Sequence, residues 1–379
     1  MPAPTEPIPL GVLTGFLGAG KTSLLNRLIR DPALAGCAVI INEFGEIGLD
    51  HLLVRKIDEG VVLMQSGCLC CTLRGDLIEA LEQLLRDLDN GRLTFRRIIL
   101  ETTGLADPAP VLQTLMTHPY LVQRFRLDGV ITVVDAVNGD ATLDAHLESV
   151  KQIAMADRIV LTKTDLLTAP EQRDALRALH DRISALNPAA PVLGIADVTA
   201  ASLSDCGLFD PTRKIPDVRR WLNEEAYAVE PAPAAAAPHR RGHDHDHAHD
   251  VNRHDARIRA FTLTADTPIA AASLEMFIDL LRSMHGPKLL RLKGIVQLVE
   301  APEQPLAIHG VQHVMHPPVR LEGWPDADRR TRIVLITRDL GAGMVTPLFN
   351  AFLNRSAPDQ PDRAAVLDNP LVPFGGRDR

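Results

Sequence analysis

The chain has 379 residues, of which 46% are hydrophobic and 23% are charged, and its formal net charge is -8. This length and composition are typical of a soluble globular protein with two domains. The negative charge argues against nucleic acid or anionic lipid as a partner. The chain starts without a basic segment and apolar run, and no stretch approaches the roughly 18 apolar residues of a membrane span. We therefore expect neither a secretory signal nor a membrane partner.

Cysteine usage points to a reducing compartment. The chain has 5 cysteines, an odd number, and three of them lie within four residues of each other. This pattern does not suggest a disulfide framework, and it suits an environment in which thiols stay reduced. The prediction is a cytoplasmic protein.

Up to about residue 215, short apolar runs alternate with longer amphipathic segments. The runs do not alternate apolar with polar residues, as expected for strands that are buried on both faces. This order predicts an α/β fold with a doubly wound, mostly parallel sheet in residues 1–225. The predicted strands are residues 8–14, 37–42, 61–64, 98–101, 130–135, 159–162 and 192–195, and the predicted helices are residues 23–30, 76–88, 141–156 and 171–186.

The first predicted strand leads into GFLGAGKT at residues 15–22, which matches the phosphate-loop pattern G-x-x-x-x-G-K-[ST] and precedes a helix. Glycines let backbone N–H groups approach phosphate oxygens, and the helix adds its positive N-terminal end. Lys21 would carry a positive charge to the β- and γ-phosphates, and the Thr22 hydroxyl would bind Mg²⁺. The predicted nucleotide contacts in this segment are Gly15, Gly18, Ala19, Gly20, Lys21, Thr22 and Ser23.

Three thiols follow the third predicted strand in the sequence GCLCC, residues 67–71. Cys68, Cys70 and Cys71 can converge on one ion, and zinc takes thiolates readily in tetrahedral geometry. Buried structural cysteines, a redox pair and a nucleophilic thiol are the alternatives, and metal binding is favoured because the run is so dense. A carboxylate from Glu46 or Glu43, in the loop after the second strand, would link the metal to the nucleotide state. For either residue alone, a solvated acidic loop is an equally good interpretation.

Acidic residues end the next two strands. Glu101, in the sequence RIILETTG at residues 97–104, is predicted to act with Lys21 in hydrolysis, as a ligand of Mg²⁺ or a group that orients water. Asp135 is the competing candidate. Glu101 is preferred because Gly104 follows three residues later, where its N–H would sense a γ-phosphate.

The sequence TKTD at residues 162–165 follows another predicted strand. Ligands bind beyond the carboxyl ends of parallel strands. Asp165 can accept from both N1–H and the 2-amino group of guanine, whereas adenine offers neither donor. Lys163 would cover the purine with its stem, and Thr162 completes the predicted contacts. Guanine is therefore the predicted base, with a solvated turn as the alternative.

Residues 226–256 form a Pro/Ala- and His-rich segment that cannot bury a core, so a linker is predicted. Its alternating histidines would bind Zn²⁺, Ni²⁺ or Co²⁺ weakly, as a metal-collecting tether, and a solubilising linker is the alternative. These histidines are His243, His245, His247 and His249. Residues 257–355 predict a small α+β domain, and residues 356–379 predict a flexible tail. Within the α+β domain the helix is 271–284, and the strands are 258–263, 288–300, 311–315 and 331–337.

With these motifs in this order, the chain resembles the CobW-like family of GTPases. The resemblance rests on GFLGAGKT (15–22), NEFGEIGLD (42–50), GCLCC (67–71), ETTGLADP (101–108) and TKTD (162–165), together with the small carboxyl-terminal domain, and it spans residues 8–350. It implies a GTPase that uses GTP and Mg²⁺ and passes Zn²⁺ from the C-x-C-C motif to a client metalloenzyme. Glu46 matches a carboxylate implicated in metal binding. Some relatives carry a further Glu where this chain has Ile41, so a site using that carboxylate is not intact here.

The prediction is therefore a GTP-hydrolysing zinc metallochaperone. Cobalt handling in cobalamin synthesis and activation of nitrile hydratase are alternatives with the same chemistry and a different client, and they would use Co²⁺ or Ni²⁺. A zinc storage or sensor protein with incidental GTPase activity is an alternative from a different class. A homo-oligomer is compatible with each of these functions.

Overall fold

The computed structural model describes residues 7–41, 63–65, 73–203 and 257–353. Several predictions fall outside these residues: the carboxylates Glu43 and Glu46, the thiols Cys68, Cys70 and Cys71, the linker 226–256 with its histidines, and the tail 356–379. Among the helices of the described part of the chain, none combines the length and the apolar character that crossing a bilayer requires.

Seven parallel strands form the first sheet, in the order β3-β2-β4-β1-β5-β6-β7. Every pairing between these neighbours is parallel, which confirms the predicted doubly wound α/β architecture. The carboxyl ends of β1, β4, β5 and β6 therefore meet at one edge of the sheet. The strands are β1 Ile8–Gly15, β2 Cys37–Ile41, β3 Leu63–Gln65, β4 Arg97–Glu101, β5 Phe125–Asp135, β6 Arg158–Thr162 and β7 Val192–Gly194.

Helices cover both faces of this sheet. Leu24 and Leu25 of α1 pack with Val39, Ile99 and Val160 on one face, and the other face is covered by residues of α2 to α7. Strands buried on both faces need near-continuous apolar sequence, and for this reason the apolar runs located them. The helices are α1 Lys21–Leu28, α2 Leu73–Asp89, α3 Ala109–Thr117, α4 Leu121–Arg124, α5 Gly139–Ala145, α6 Leu147–Ala154 and α7 Pro170–Leu186.

An antiparallel sheet forms the second unit, in the order β11-β10-β9-β13-β8, with β12 paired to β10. One of its faces carries two helices, whose Phe277 and Phe349 rings meet edge to face at 5.1 Å. This arrangement confirms the predicted smaller α+β unit. Its elements are β8 Ile258–Ala265, α8 Ala271–His285, β9 Leu289–Leu298, β10 Ala301–Val311, β11 Val314–Met315, β12 Val319–Arg320, β13 Thr331–Arg338 and α9 Ala342–Phe352.

Two predicted elements were wrong in detail. The helix predicted over residues 141–156 is two helices, α5 and α6, because the backbone leaves the helical region at His146 and its ring stacks on Phe16 at 4.4 Å. The strand predicted over residues 311–315 is interrupted by a turn, in which Gln312 adopts a φ of 51°. The first break serves a contact that is distant in sequence, whereas the second closes a tight antiparallel pairing of Val311 with Val314. Hydrophobic periodicity reveals neither break.

Candidate functional site

The phosphate loop connects the end of β1 to the start of α1. A Cβ on Gly15 would lie 2.3 Å from the carbonyl oxygen of Val133, so only glycine lets β1 run this close to β5 before the loop turns away. Lys21 is buried at the start of α1, and its Nζ donates to the carbonyl oxygens of Gly15 at 2.9 Å and Phe16 at 3.2 Å. The ammonium group thus lies over the loop, where it would meet phosphate oxygens. Gly18, Ala19 and Gly20 complete the loop, and Thr22 and Ser23 lie in the first turn of α1.

Thr22 and Glu101 meet at the carboxyl edge of the sheet. The Thr22 hydroxyl donates to Oε1 of Glu101 at 2.8 Å, and Glu101 is buried at the end of β4, the strand next to β1. A hydroxyl and a carboxylate oxygen are hard donors, and Mg²⁺ is bound in this way by one or two protein groups together with substrate phosphates. The donor set therefore fits Mg²⁺ beside the phosphate loop.

Asp135, the competing acid, has different partners. Its Oδ2 pairs with Nζ of Lys163 at 2.6 Å, and its carboxylate accepts from the backbone N–H groups of Val137 and Asn138 and from the Asn138 side chain. Burial opposes the charged form, but the hydrogen bonds from Lys163 and Asn138 outweigh it and lower the pKa of Asp135. The carboxylate is thus engaged with the lysine of the TKTD motif and with the start of α5.

The TKTD segment lies at the end of β6. Thr162 is buried, and its hydroxyl donates to the carbonyl oxygen of Ala19 at 2.6 Å, so this side chain holds the phosphate loop. Lys163 has a φ of 58°, which turns the chain into a short 3₁₀ helix, Thr164–Leu166. Asp165 lies in that helix with its side chain exposed, where an incoming base can reach it.

Gly104 lies directly against the phosphate loop. A Cβ at this position would come within 2.6 Å of the Leu17 nitrogen and 2.8 Å of the Leu17 Cα. Thr102, two residues earlier, is tied to β1, since its backbone N–H donates to the carbonyl oxygen of Leu13 and its hydroxyl donates to the hydroxyl oxygen of Thr14. The loop after β4 is therefore in contact with the backbone that would hold the phosphates.

A cavity of about 260 Å³ opens beside the phosphate loop. Its polar lining includes Thr132, Asn138, Ser149 and Gln152, none of which was predicted as a site residue. Thr132 is buried in the apolar run of β5, and that position was the available sequence signal. Gln152 is also buried, but it lies among other polar residues of α6, so no signal in the sequence marked it.

Metal binding by the thiol motif concerns residues outside the described part of the chain. Within residues 7–41, 63–65, 73–203 and 257–353, no group of three His, Cys, Asp or Glu side chains is placed to hold a metal ion. Cys37 is buried in β2, and burial raises the pKa of its thiol to about 12, so this cysteine is not a thiolate ligand.

Family models match most of the described chain. The model of the CobW/HypB/UreG nucleotide-binding domain matches residues 9–194, and that of the cobalamin synthesis protein cobW C-terminal domain matches residues 258–353. Fold and site together define a P-loop nucleotide-binding protein, and the chain belongs to the CobW/HypB/UreG family.

Similar proteins include two with zinc in their names. The zinc chaperone YjiA of Escherichia coli (strain K12) is 34% identical over 309 residues, which cover 82% of this chain and 87% of that protein. The zinc-regulated GTPase metalloprotein activator 1 of Schizosaccharomyces pombe is 34% identical over 232 residues, 59% of this chain and 52% of that protein. The crystal structure of zinc-bound YjiA GTPase from E. coli has a TM-score of 0.60 and 28% identity to this chain, covering 92% of this chain and 99% of that chain.

Proposed function

We propose that this protein hydrolyses GTP, binds zinc at Cys68, Cys70 and Cys71, and passes the zinc to a client metalloprotein in a GTP-dependent step. The observation that carries the GTPase half is the 2.8 Å contact between Thr22 and Glu101 beside the phosphate loop. The zinc half is supported by the zinc chaperone YjiA, which is 34% identical over 309 residues. The crowded thiols need a reducing compartment to bind metal, which favours the cytoplasm.

In the proposed reaction, residues of the phosphate loop and of the neighbouring strand end contact the phosphates of GTP and the Mg²⁺ ion. Lys21 exchanges its two carbonyl partners for oxygens of the β- and γ-phosphates. Thr22 and Glu101 hold Mg²⁺, which supplies positive charge to the phosphates. Gly104, whose backbone lies against Leu17, would donate its N–H to the γ-phosphate.

Guanine recognition is assigned to the end of β6. Asp165 accepts from the two donors of guanine, and Lys163 lies along the purine with its ammonium group held by Asp135 at 2.6 Å. This ion pair orients a flexible side chain before the base arrives, so less rotamer freedom is lost on binding.

The coupling of zinc to the nucleotide is the central test. If the thiol loop and the Glu46 loop respond to the γ-phosphate, zinc affinity differs between the GTP-analogue and GDP states, and by linkage zinc changes nucleotide affinity by the same factor. We expect a coupling of about 1–3 kcal/mol, or roughly 5- to 150-fold. The measurement is a competition titration with a zinc indicator at fixed pH, since thiolate binding releases protons.

The titration uses a variant that lacks residues 239–254, so that the tether histidines do not mask the thiol site. Cys70→Ser is expected to remove both the tight zinc site and the coupling. Cys37→Ser is the matched control, because this thiol is buried in β2 and does not belong to the motif. Equal zinc affinity in both nucleotide states would leave a GTPase that only carries metal, and the chaperone mechanism would be rejected.

A further inference from the structure

The loop after β4 is held by hydrogen bonds from one helix. Gln152 lies on α6 and is fully buried, and its Nε2 donates to the carbonyl oxygens of Gly104 at 3.2 Å and Ala106 at 3.1 Å. The amide group therefore uses both of its N–H donors on two carbonyls of the same loop. Gly104 is thus in contact both with this amide and with Leu17 of the phosphate loop.

The neighbouring contacts fix where the amide sits. The Thr132 hydroxyl of β5 donates to the backbone carbonyl oxygen of Gln152 at 2.8 Å, so the helix is tied to the sheet at that residue. Next along α6, Lys151 pairs with Asp107 at 2.9 Å, on the same loop. The loop is thus held by two consecutive residues of α6, one buried and one partly exposed.

Burial makes the Gln152 contact the stronger constraint. The Gln152 side chain has no exposed surface, and in the described part of the chain its Oε1 has no hydrogen-bond partner. A buried amide with an unpaired acceptor costs free energy, and two good donor contacts offset that cost only if the loop stays in place. The Lys151–Asp107 pair, whose side chains are 19% and 26% exposed, is more strongly screened by water than the Gln152 contact.

We infer that Gln152 is a positioning residue that sets the distance between the Gly104 peptide and the γ-phosphate. This inference rests on the proposed GTPase function. Gly104 cannot move toward the phosphate loop, because its backbone is in contact with Leu17. The two hydrogen bonds from the Gln152 amide hold Gly104 and Ala106 at this contact. Gln152 therefore acts on triphosphate binding and on the hydrolysis rate, and not on recognition of the base.

The test replaces Gln152 with Met, which has similar length and no N–H donor. Gln113→Met is the matched control, since Gln113 is also a buried glutamine, lies on the adjoining helix α3, and donates to Gln312 at 3.1 Å in the second unit. For Gln152→Met we expect kcat to fall by about 10- to 100-fold, as for displacement of a reacting group by about 1 Å. The affinity for a non-hydrolysable GTP analogue should fall relative to that for GDP, and the affinity for GDP should stay near that of the parent protein.

Amide hydrogen exchange of residues 104–107 provides a readout that needs no catalysis. We expect faster exchange in Gln152→Met than in the parent protein and in Gln113→Met. Gln152→Asn, which keeps the donors on a shorter side chain, should restore part of the protection and serves if the Met variant folds poorly.

Failure of the proposed function and failure of the inference about Gln152 would give different results. If the parent protein neither binds guanine nucleotides nor hydrolyses GTP, the proposed function fails, whatever the exchange data show. If the parent hydrolyses GTP and Gln152→Met has the same kcat and the same analogue-to-GDP ratio, the inference is overturned. A variant that loses GDP and analogue affinity equally, with a lower Tm, would show a packing role only and would also overturn it.

Discussion

Two acids at the ends of successive strands, β4 and β5, have separate roles in the structure. Glu101 accepts from the Thr22 hydroxyl, whereas Asp135 is bound to Lys163 and to the start of α5. Their difference follows from strand position, since β4 and β5 lie on opposite sides of β1. The structure therefore places one acid beside the expected magnesium position and the other beside the expected base.

Replacing each acid with the corresponding amide tests whether Glu101 serves the magnesium ion and Asp135 serves the base. Glu101→Gln removes the negative charge that would bind Mg²⁺, and we expect kcat for GTP to fall by at least about 100-fold with GDP affinity little changed. Asp135→Asn removes the partly exposed pair with Lys163 and the hydrogen bond that Oδ2 accepts from the Asn138 side chain, so guanine nucleotide affinity should fall by about 2- to 5-fold. Steady-state kinetics and GDP titrations of both variants give the comparison. If Glu101→Gln remains active and Asp135→Asn does not, Asp135 is the magnesium ligand.

Asp165 is the residue that we expect to recognise the guanine base. Asp165→Asn exchanges an acceptor for an amide, which complements xanthine at N1 and C2, so preference should shift from guanine to xanthine nucleotides. Hydrogen bonds to a charged group are worth about 1.5–3 kcal/mol, so GDP affinity should fall by about 10-fold or more. Competition titrations with GDP, XDP and ADP measure this, with Asp174→Asn on the exposed surface of α7 as control. Equal affinity of the parent protein for GDP and ADP would rule out the guanine assignment.

At the scale of elements, β6 joins two parts of the molecule. Asp157, directly before β6, is buried against the second unit, and Thr162, at its other end, holds the phosphate loop through Ala19. The strand is only five residues long, so both ends are set by one rigid element.

Thr162→Val tests the contact between β6 and the phosphate loop. Valine keeps the shape and removes the hydroxyl, so the free energy of unfolding should fall by about 0.5–1.5 kcal/mol. GDP and GTP-analogue affinity should fall together, because the loop that holds both nucleotides is loosened. Thr337→Val is the matched control, since this buried hydroxyl donates to Leu340 in the second sheet. An equal loss of nucleotide affinity in the control would show that the effect is not specific to the loop.

At the scale of the whole molecule, the two sheets share their cores. Two of the hydrophobic clusters combine residues of both units, for example Met155 with Val311 and Ile153 with Leu290. A buried ionic cluster lies in the same interface. Asp157 pairs with Arg291 and, at 2.8 Å, with Lys293, and Arg291 also donates to the carbonyl oxygen of Met155. The second unit is therefore attached directly to the end of α6 and the start of β6.

Removing the acid that pairs with both cations of this cluster should be costly. Asp157→Asn leaves Arg291 and Lys293 buried without their carboxylate, and breaking such a pair costs about 3–5 kcal/mol. Urea denaturation of the full chain measures the free energy of unfolding. Asp174→Asn, which breaks an exposed pair with Arg177, should cost less than about 1 kcal/mol. A similar small loss for both variants would contradict the importance of the buried cluster.

The same cluster predicts how stability depends on pH. Burial opposes the charged carboxylate, but Arg291 and Lys293 outweigh it and hold the pKa of Asp157 well below its usual range. Burial lowers the pKa of Lys293 to about 8, and burial together with Arg291 and Lys293 lowers the pKa of His309 well below its usual value. In each case the unfolded chain binds protons that the folded chain does not, so stability increases with pH.

These pKa shifts predict three pH ranges in which the stability of the fold changes. On acidification, stability should fall below about pH 6.5 as unfolded His309 takes up a proton, and again near pH 4 as unfolded Asp157 does. On the alkaline side, the Lys293 contribution should increase stability from about pH 8 to about pH 10.5. Urea midpoints across pH measure this, and His309→Phe should remove the first window. An unchanged curve in that variant would show that other histidines cause it.

The sequence by itself determined the fold class, the phosphate loop and the TKTD segment. These are local properties: apolar runs mark strands that are buried on both faces, and a motif of adjacent residues keeps its spacing in any fold. The same reasoning missed the break at His146, because its cause is a ring stacked on Phe16, 130 residues earlier along the chain at the phosphate loop.

Only the tertiary structure decided which acid meets Thr22 and which side chains support the site. Thr22 and Glu101 are 79 residues apart, Gln152 and Gly104 are 48 apart, and Arg291 and Asp157 are 134 apart. The partner of a buried polar group is set by how strands are ordered and helices packed, and hydrophobic periodicity carries no information about that order. For this reason Gln152 and Asp157 read as ordinary polar residues in the sequence, and their roles appear only when β1, β5 and the second sheet are placed around them.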